Sequence, residues 1–245
     1  MRPYPKIDLS LNAFYKQSYR YPTFNDLYYT DLGNANLRPE LARQHSVEIA
    51  YRKASKAYEL AFAASYYYNR VTDKIIAYPK GQQFRWTMLN LGTVKINGVD
   101  AKVDMSFFLP LRFVLRTRLN YTYNTAIDVT NPNDTYYGHQ IPYIPWHSGS
   151  AVVSLDWTST RGDHYGLNYS FIYVGERYCQ QENTVYNYVQ PWYTHDLSIY
   201  GEWSIQRYWL KAYLEINNLL GQDYEVIQNY PMPKQNVRCT VTFRY

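Results

Sequence analysis

The sequence has no long apolar run, although 46% of its 245 residues are hydrophobic. Mean hydropathy is −0.52, and no window approaches the roughly 18 consecutive apolar residues of a membrane-spanning helix. This absence excludes helical membrane spans. It does not exclude spanning strands, because polar and apolar residues alternate along a transmembrane barrel strand and average to a low hydropathy.

Cysteine is scarce and positive charge is dispersed. Cys179 and Cys239 lie in different local contexts without metal-ligand spacing, and we expect no disulfide between them. The formal net charge is +5, with Lys and Arg scattered singly, so the sequence predicts no nucleic-acid partner. No G-x-S-x-G, H-E-x-x-H or Cys/His metal pattern occurs. We therefore expect no catalytic residues, no metal site and no cofactor.

Aromatic residues are abundant, and they recur within alternating patterns. They make up 18% of the chain, with 30 tyrosines against 11 glycines. Alternation of apolar and polar residues is the period-2 signature of β-strands. About ten strands are predicted, in the segments 6–16, 46–52, 58–69, 98–108, 112–124, 148–157, 164–174, 193–203, 208–217 and 237–245.

The charged residues of these segments keep to one parity. Near the C-terminus, for example, Val241 and Phe243 alternate with Arg238 and Arg244. The more apolar parity of the predicted segments carries no Lys, Arg, Asp or Glu, and His195 is its one histidine. A lipid-facing charge costs on the order of 2–4 kcal/mol at the bilayer midplane. The exclusion therefore favours a membrane barrel over a soluble β-fold.

Short turns alternate with long loops along the chain. The predicted turns are Lys53–Lys56, Leu109–Leu111, Thr158–Asp163 and Ser204–Gln206, and the predicted loops are 19–42, 70–97, 125–142, 176–191 and 218–234. This asymmetry is typical of outer-membrane barrels. Aromatic residues near strand ends suit the interfacial girdles of such barrels; they are Tyr66, Tyr68, Tyr121, Tyr123, Trp157, Tyr173 and Trp203. We predict an all-β fold, an antiparallel transmembrane β-barrel in the lipid of the bacterial outer membrane.

The N-terminal residues do not fit an exported protein by themselves. Met1–Pro5 lacks the basic start and the apolar core of a signal peptide. Either an upstream portion supplies the export signal, or the membrane interpretation is wrong.

Three local patterns go beyond a generic barrel. Residues 19–40, YRYPTFNDLYYTDLGNANLRPE, resemble the paired box of TonB-dependent receptors, R-x-P-T-x-x-x-L-Y followed by N-x-N-L-x-P-E. Residues 141–148, IPYIPWHS, resemble the family's L-P-Y-x-P-x-H run, with Ile141 in place of Leu. Residues 217–233 resemble the family's last hairpin, although Lys234-Gln235 replaces the usual Gly-Arg. The matching residues of the box and the hairpin are Pro22, Thr23, Leu27, Asn36, Leu37, Pro39, Glu40, Asn218, Leu219, Tyr224, Glu225, Pro231 and Pro233.

The resemblance implies a barrel of about 22 strands closed by an N-terminal plug. Residues 1–245 would be its C-terminal segment, without the plug and the N-terminal strands. It implies TonB-driven uptake of a scarce small-molecule nutrient such as an iron chelate, haem or cobalamin. The TonB complex would act through a missing N-terminal part. Phe243 and Tyr245 would be the signal read by the barrel-assembly machinery.

Ligand contacts are expected from aromatic and charged residues of the long loops, because aromatic rings offer stacking area at small entropic cost. The candidates are Arg20, Tyr21, Tyr28, Tyr29, Arg38, Tyr178, Tyr186, Tyr188, Trp192, Tyr224 and Tyr230. In the box a structural role is favoured over ligand contact, because Pro22 and Pro39 fix φ in loop turns and Glu40 suits a local cap or pair. Haem binding would require a loop histidine such as His139, or His45 just past the box.

Three alternatives stay open. A ten-stranded outer-membrane enzyme would need a His–Asp dyad at the barrel mouth. The side chains of His195 and Asp196 point to opposite faces of a strand, and Asp163-His164 lies at a short turn. A self-closed pore and a non-functional remnant of a receptor gene are the other two alternatives, and channel conductance would identify the pore.

Overall fold

The computed structural model describes residues 6–80, 85–205 and 207–245. Its main feature is a ten-stranded antiparallel sheet in the order β1-β2-β3-β6-β7-β8-β9-β12-β13-β16. The strands of this sheet are β1 Lys6–Arg20, β2 Glu40–Ala54, β3 Tyr58–Thr72, β6 Thr93–Phe108, β7 Phe113–Asp128, β8 His147–Thr158, β9 His164–Val174, β12 Trp192–Ile205, β13 Tyr208–Asn217 and β16 Asn236–Arg244.

Three small hairpins and a few short helices lie in the connections. The hairpins are β4 Ile75–Lys80 with β5 Arg85–Asn90, β10 Arg177–Tyr178 with β11 Tyr188–Val189, and β14 Glu225–Ile227 with β15 Tyr230–Pro231. The helices are α1 Phe24–Tyr28 and the 3₁₀ turns Pro110–Arg112 and Val185–Asn187. No helix in the described ranges is long and apolar enough to cross a membrane.

The register of the sheet places the predicted apolar parity of each strand on one continuous face. Leu9 pairs with Tyr51, Tyr51 with Phe62, Phe62 with Val103, and Val103 with Leu119. We call this the apolar face and the opposite one the polar face. β-branched and aromatic residues on such a face favour strands because they pack well against cross-strand neighbours.

The polar face carries ion pairs both along a strand and between strands. Asp104 lies 3.2 Å from the Lys102 ammonium and 2.5 Å from the Arg118 guanidinium. Arg238 contacts Glu215 at 2.8 Å. Because both faces of this sheet are open, its buried hydrophobic cluster lies at the long-loop ends of β6 and β7, where Val94 and Ala126 pack with the loop residues Leu91 and Ile141.

The predicted all-β antiparallel barrel fold with about ten strands is confirmed, with the sheet unclosed between β1 and β16. Several strands extend further toward the long loops than the alternation predicts; β2, for example, begins at Glu40 rather than at residue 46. The backbone ladder continues there although the apolar and polar residues no longer alternate. The predicted turn Ser204–Gln206 includes Gln206, which lies outside the described residues, as does Met1–Pro5.

The longer strands also alter the charge distribution predicted for the apolar face. Among the described residues of the ten-stranded sheet, four charged residues share the apolar parity, and all lie beyond the predicted segments. They are Arg43, Arg70 and Lys95 at the long-loop end and Lys53 at the short-turn end.

Candidate ligand-binding site

All long connections leave the same end of the sheet. We name them loop 1 (residues 21–39), loop 2 (73–92), loop 3 (129–146), loop 4 (175–191) and loop 5 (218–235). At the opposite end, the described connections between strands are short turns. The predicted asymmetry between turns and loops is therefore present in the structure.

Loop 1 is held by polar contacts at its base. Thr23 caps helix α1 and forms a capping box with Asp26. The guanidinium of Arg20 contacts Asp26 at 3.0 Å and Glu40 at 3.6 Å. Glu40 also accepts a hydrogen bond of 2.9 Å from the backbone N–H of Ile75, which fixes the start of loop 2. These contacts give Arg20 and Glu40 partners within the chain.

Loops 1 and 2 are joined by backbone and side-chain hydrogen bonds. The N–H of Met88 donates to the carbonyl of Leu32 at 2.9 Å. Asn90 accepts from the Arg38 N–H at 2.8 Å and donates to the Arg38 carbonyl at 3.0 Å. The Arg38 guanidinium pairs with Asp73 at 2.5 Å. Arg38 is thus tied to loop 2 through both its backbone and its side chain.

Loops 3 and 4 are joined by amide and tyrosine contacts. Gln140, 1% exposed, accepts a hydrogen bond of 2.8 Å from the Ala126 N–H, and its own N–H donates to Asn183 at 2.7 Å. The N–H of Tyr143 donates to the Tyr178 carbonyl at 2.7 Å. Burial raises the pKa of the Tyr143 phenol, so it stays protonated well above neutral pH. The Tyr143 ring also lies 5.6 Å from the ring of Trp86 in loop 2.

Arg177 joins loop 4 to loop 5. Its side chain is nearly inaccessible, at 2% exposed, and burial lowers the pKa of its guanidinium below the ordinary value. The guanidinium donates to the carbonyls of Glu225 at 2.6 Å and Val226 at 3.1 Å. It also donates to the carbonyls of Gly175 and Gln190 in loop 4. Backbone carbonyls thus take the place of a carboxylate partner and satisfy the buried charge.

Next to this link lies a cavity of about 500 Å³ between loops 4 and 5. Trp192 and Tyr224 line it with ring centroids 4.6 Å apart. The indole N–H of Trp192 is buried without a hydrogen-bond partner among the described residues. Trp192 shares the parity of the polar face, as does Asp196. Trp192 therefore brings aromatic area to the cavity from the side of the sheet that carries charge, while its indole N–H is buried.

The other lining side chains are mainly amides and opposed charges. Lys234 lies 2.9 Å from Asp223, and Glu225 accepts from the Asn229 N–H at 2.7 Å. The amides are Gln190, Gln222, Gln228 and Asn229. The volume falls within the roughly 300–1,000 Å³ typical of small-molecule pockets. This arrangement can stack on a ring and exchange hydrogen bonds with amides or other neutral polar groups.

The structure brings three of the predicted ligand residues together and separates the rest. Tyr188, Trp192 and Tyr224 line the cavity. Tyr178 packs edge-to-face on Tyr188, with ring centroids 6.1 Å apart. Tyr186 is 89% exposed and does not line the cavity. The remaining candidates lie outside the lining: Arg20, Tyr21, Tyr28, Tyr29 and Arg38 in or beside loop 1, and Tyr230 in loop 5.

Several contributors were not predicted as ligand contacts. Gln190, Gln222 and Gln228 line the cavity, but nothing in the local sequence distinguishes them from other loop amides. Arg177 was also missed. Its partners are main-chain carbonyls, which carry no residue-type signal, so no pairing pattern could have revealed it.

Asn218, a residue of the C-terminal family motif, holds the start of loop 5 by hydrogen bonds. Asn218 is 4% exposed and has a positive φ of 50°, a conformation that Asn tolerates better than most residues. Its N–H donates to Asp196 at 2.7 Å, and its side-chain oxygen accepts from the Gln222 N–H at 2.9 Å. The motif residue therefore positions the turn that carries Gln222 and Tyr224.

The histidines make contacts that do not form a reactive site. His195 bonds the Tyr169 hydroxyl at 2.6 Å, while Asp196 on the other face accepts from Asn218. His139 lies 3.2 Å from the Gln181 carbonyl. Within the described ranges, no group of three or more His, Cys, Asp or Glu residues is placed to hold a metal ion. Cys179 is buried, Cys239 is exposed, and both are free.

A ten-stranded antiparallel sheet with one apolar face, short turns at one end and long loops at the other is the architecture of a membrane β-barrel segment. The family model described as "TonB dependent receptor-like, beta-barrel" matches residues 3–219. The chain belongs to the TonB-dependent receptor family, and the predicted resemblance is confirmed.

Named relatives are transporters and receptors. The vitamin B12 transporter BtuB of Photobacterium profundum is 23% identical over 253 aligned residues, which cover 97% of this chain and 36% of the relative. BtuB of Vibrio vulnificus is 35% identical over 82 residues, 34% of this chain and 13% of the relative. The ferric preacinetobactin receptor BauA of Acinetobacter baumannii superposes with a TM-score of 0.64 at 13% identity, covering 97% of this chain and 34% of that chain. That likeness shows the fold alone.

Proposed function

We propose that residues 1–245 form the C-terminal part of the barrel of an outer-membrane nutrient receptor. In the complete barrel of about 22 strands, β1 and β16 would each pair with a strand outside this segment. The chain spans about a third of the length of the relatives that it matches almost end to end, 36% of one and 34% of the other. Open sheet edges within a bilayer leave backbone groups without partners, which also supports a larger closed barrel.

The observation that carries the receptor proposal is the aromatic cavity between loops 4 and 5. Trp192 and Tyr224 offer ring area, and neighbouring amides offer both donors and acceptors. The buried indole N–H of Trp192 would become a further donor if its side chain shifted on binding. Links from loop 1 through to loop 5 hold this surface in place. Such preorganisation lowers the entropic cost of binding.

Cobalamin is the ligand that we propose to test first. Two relatives with sequence similarity are vitamin B12 transporters. The rim of the corrin ring carries carboxamide groups, which complement the amide side chains of the cavity. The cavity would hold one edge of that ligand. An iron chelate is the second ligand class, as in the name of BauA. Haem has less support, because no histidine is among the described residues that line the cavity.

Uptake would require the TonB complex, acting through an N-terminal plug that lies outside residues 1–245. Outer-membrane lipid would surround the apolar face, and the barrel-assembly machinery would read Phe243 and Tyr245. Sequencing the DNA upstream of Met1 tests this organisation. An in-frame signal peptide, plug and further strands would support it. A genuine stop and start codon at Met1 would contradict it.

The ligand is tested by equilibrium dialysis of the purified, folded protein against cyanocobalamin, a ferric catecholate and haemin. We expect saturable cyanocobalamin binding that Tyr224→Ala weakens. Tyr186→Ala is the matched control, because Tyr186 lies in loop 4 outside the cavity lining. Equal cyanocobalamin binding by both variants would contradict the assigned site.

A self-closed pore is the second candidate, because each of the two edge strands, β1 and β16, has only one neighbour in the sheet. In planar bilayers such a pore would give steady single-channel conductance. A plugged receptor would give little conductance. Single-channel conductance that persists in a longer protein, with a plug domain upstream of residues 1–245, would favour the pore.

A further inference from the structure

The apolar face carries a row of cations at its long-loop end. Arg43 on β2 pairs directly with Arg70 on β3, and Arg70 pairs with Lys95 on β6. All three share the parity of the apolar face. Like charges directly opposite each other destabilise a sheet, so this register needs a physical reason.

No acidic residue in the described ranges supplies one. None of the three cations makes an ion pair with another described residue, whereas cations of the polar face such as Arg118 and Arg238 are paired. Arg43 and Arg70 are exposed and Lys95 is half-buried. The Lys95 ammonium lies 5.8 Å from the centre of the Tyr68 ring, a contact that leaves its charge uncompensated.

The row lies at the boundary of the apolar face. Two residues further from the loops, about 7 Å along the strands, the rings of Tyr15, His45 and Tyr68 form the next row, with centroids 4.8 Å and 6.0 Å apart. Beyond that row the face continues with Val47 and Tyr66, which are 49% and 54% exposed. Aromatic rings at the headgroup level with basic residues beyond them are the arrangement of a membrane interface.

We propose that Arg43, Arg70 and Lys95 form a binding site for the phosphate groups of anionic lipids in the leaflet at the long-loop end. The row spans two strand spacings, about 10 Å, so it suits one lipid with two phosphates or two adjacent headgroups. Arg side chains bind phosphate with paired, charge-assisted hydrogen bonds. Bound phosphate would also cancel the repulsion within the row. This inference rests on the proposed membrane placement of the apolar face.

The test is lipid selectivity of the purified, folded protein in mixed micelles, read by native mass spectrometry. The probes are phosphatidylglycerol and phosphatidylcholine with identical acyl chains. We expect wild type to prefer phosphatidylglycerol, and we expect Arg43→Gln/Arg70→Gln to reduce that preference about 30-fold. Lys16→Gln/Lys74→Gln is the control, because it removes the same charge; Lys16 lies on the polar face at the same height and Lys74 in loop 2. The control should keep the preference.

Thermal unfolding separates this role from a structural one. In phosphatidylcholine micelles Arg43→Gln/Arg70→Gln should unfold no earlier than wild type, because a repulsion is removed. In phosphatidylglycerol wild type should gain more stability than the variant. Loss of stability in both lipids would overturn the proposal, as would an unchanged preference. Displacement of phosphatidylglycerol by equimolar inorganic phosphate would assign the row to free anions and overturn the lipid assignment. A folded, cobalamin-binding protein without lipid preference would leave the receptor proposal standing.

Discussion

The guanidinium of Arg177 donates a 2.6 Å hydrogen bond to the carbonyl oxygen of Glu225. This bond joins loops 4 and 5 at the wall of the cavity. Since the same residue also binds carbonyls of its own loop, it fixes loop 4 and loop 5 relative to each other. The bond therefore holds loop 5 against loop 4 beside the cavity.

Arg177→Ala should release loop 5 while leaving the sheet intact. Hydrogen bonds to a charged group contribute roughly 1.5–3 kcal/mol each, and loss of about 2 kcal/mol of loop closure lowers ligand affinity about 30-fold. Equilibrium dialysis measures the affinity, and limited proteolysis should show faster cleavage in loop 5. Arg161→Ala, an exposed cation of a short turn, should match wild type. Unchanged affinity with slow cleavage would contradict the role assigned to Arg177.

The two faces of the sheet should differ in their tolerance of charge. Leu167 lies on the apolar face at 43% exposure, and Asn168 on the polar face donates to the Ser198 hydroxyl at 3.3 Å. Leu167→Arg places a charge in lipid at a cost on the order of 2–4 kcal/mol at the midplane and less toward either end. We expect it to block membrane assembly, as should Val241→Arg.

Asn168→Arg is the matched control, because its side chain would lie among the polar residues of the other face. Assembly is measured by the heat-modifiable band of the folded barrel in membrane fractions. Equal assembly of all three variants would contradict the assignment of faces.

Most of the sheet could be predicted from the sequence because each strand has one side on the apolar face and one side on the polar face. Alternation between them sets the parity of residues such as Leu167 and Asn168, and the short turns set the antiparallel order. At the long-loop ends of the strands, apolar and polar residues no longer alternate. For that reason the sequence did not predict residues 40–45 as part of β2, although the ladder with β3 continues there.

The candidate site was less predictable. Aromatic loop residues were identified by type alone, and that criterion selected Tyr186 and Tyr230 as readily as Trp192 and Tyr224. Which of them share a cavity depends on loop packing. That packing rests on bonds to backbone carbonyls, such as those of Arg177, and on buried amides such as Gln140. None of these contacts produces a period or a motif.

Trp192→Phe should change stability and ligand affinity in opposite directions. The substitution removes a buried N–H that has no hydrogen-bond partner among the described residues, so the free protein should be as stable as wild type or more stable. A ligand acceptor that pairs with this N–H would lose one hydrogen bond, and about 0.5–1.5 kcal/mol corresponds to roughly a 2- to 12-fold weaker Kd.

Trp146→Phe is the control that separates the effect on stability from the effect on ligand affinity. Trp146 also has a buried, unpartnered N–H but does not line the cavity, so ligand affinity should not change. Thermal unfolding and equilibrium dialysis supply the two readouts. A Trp192→Phe protein with wild-type affinity would show that the indole N–H does not meet the ligand.

Cys179 should react slowly with alkylating reagents, and only at elevated pH. Burial raises the pKa of its thiol above the ordinary value, and the thiolate is the reactive form. In a Cys239→Ser protein, the pH at which iodoacetamide labelling accelerates should therefore lie higher in the folded state than in urea. The raised pKa also makes the contribution of this thiol to stability depend on pH. The neutral thiol is favoured by folding, so its contribution is complete below the unfolded pKa and declines as pH rises toward the folded one. Coincident labelling profiles in the folded and unfolded states would show that loop 4 does not bury this residue.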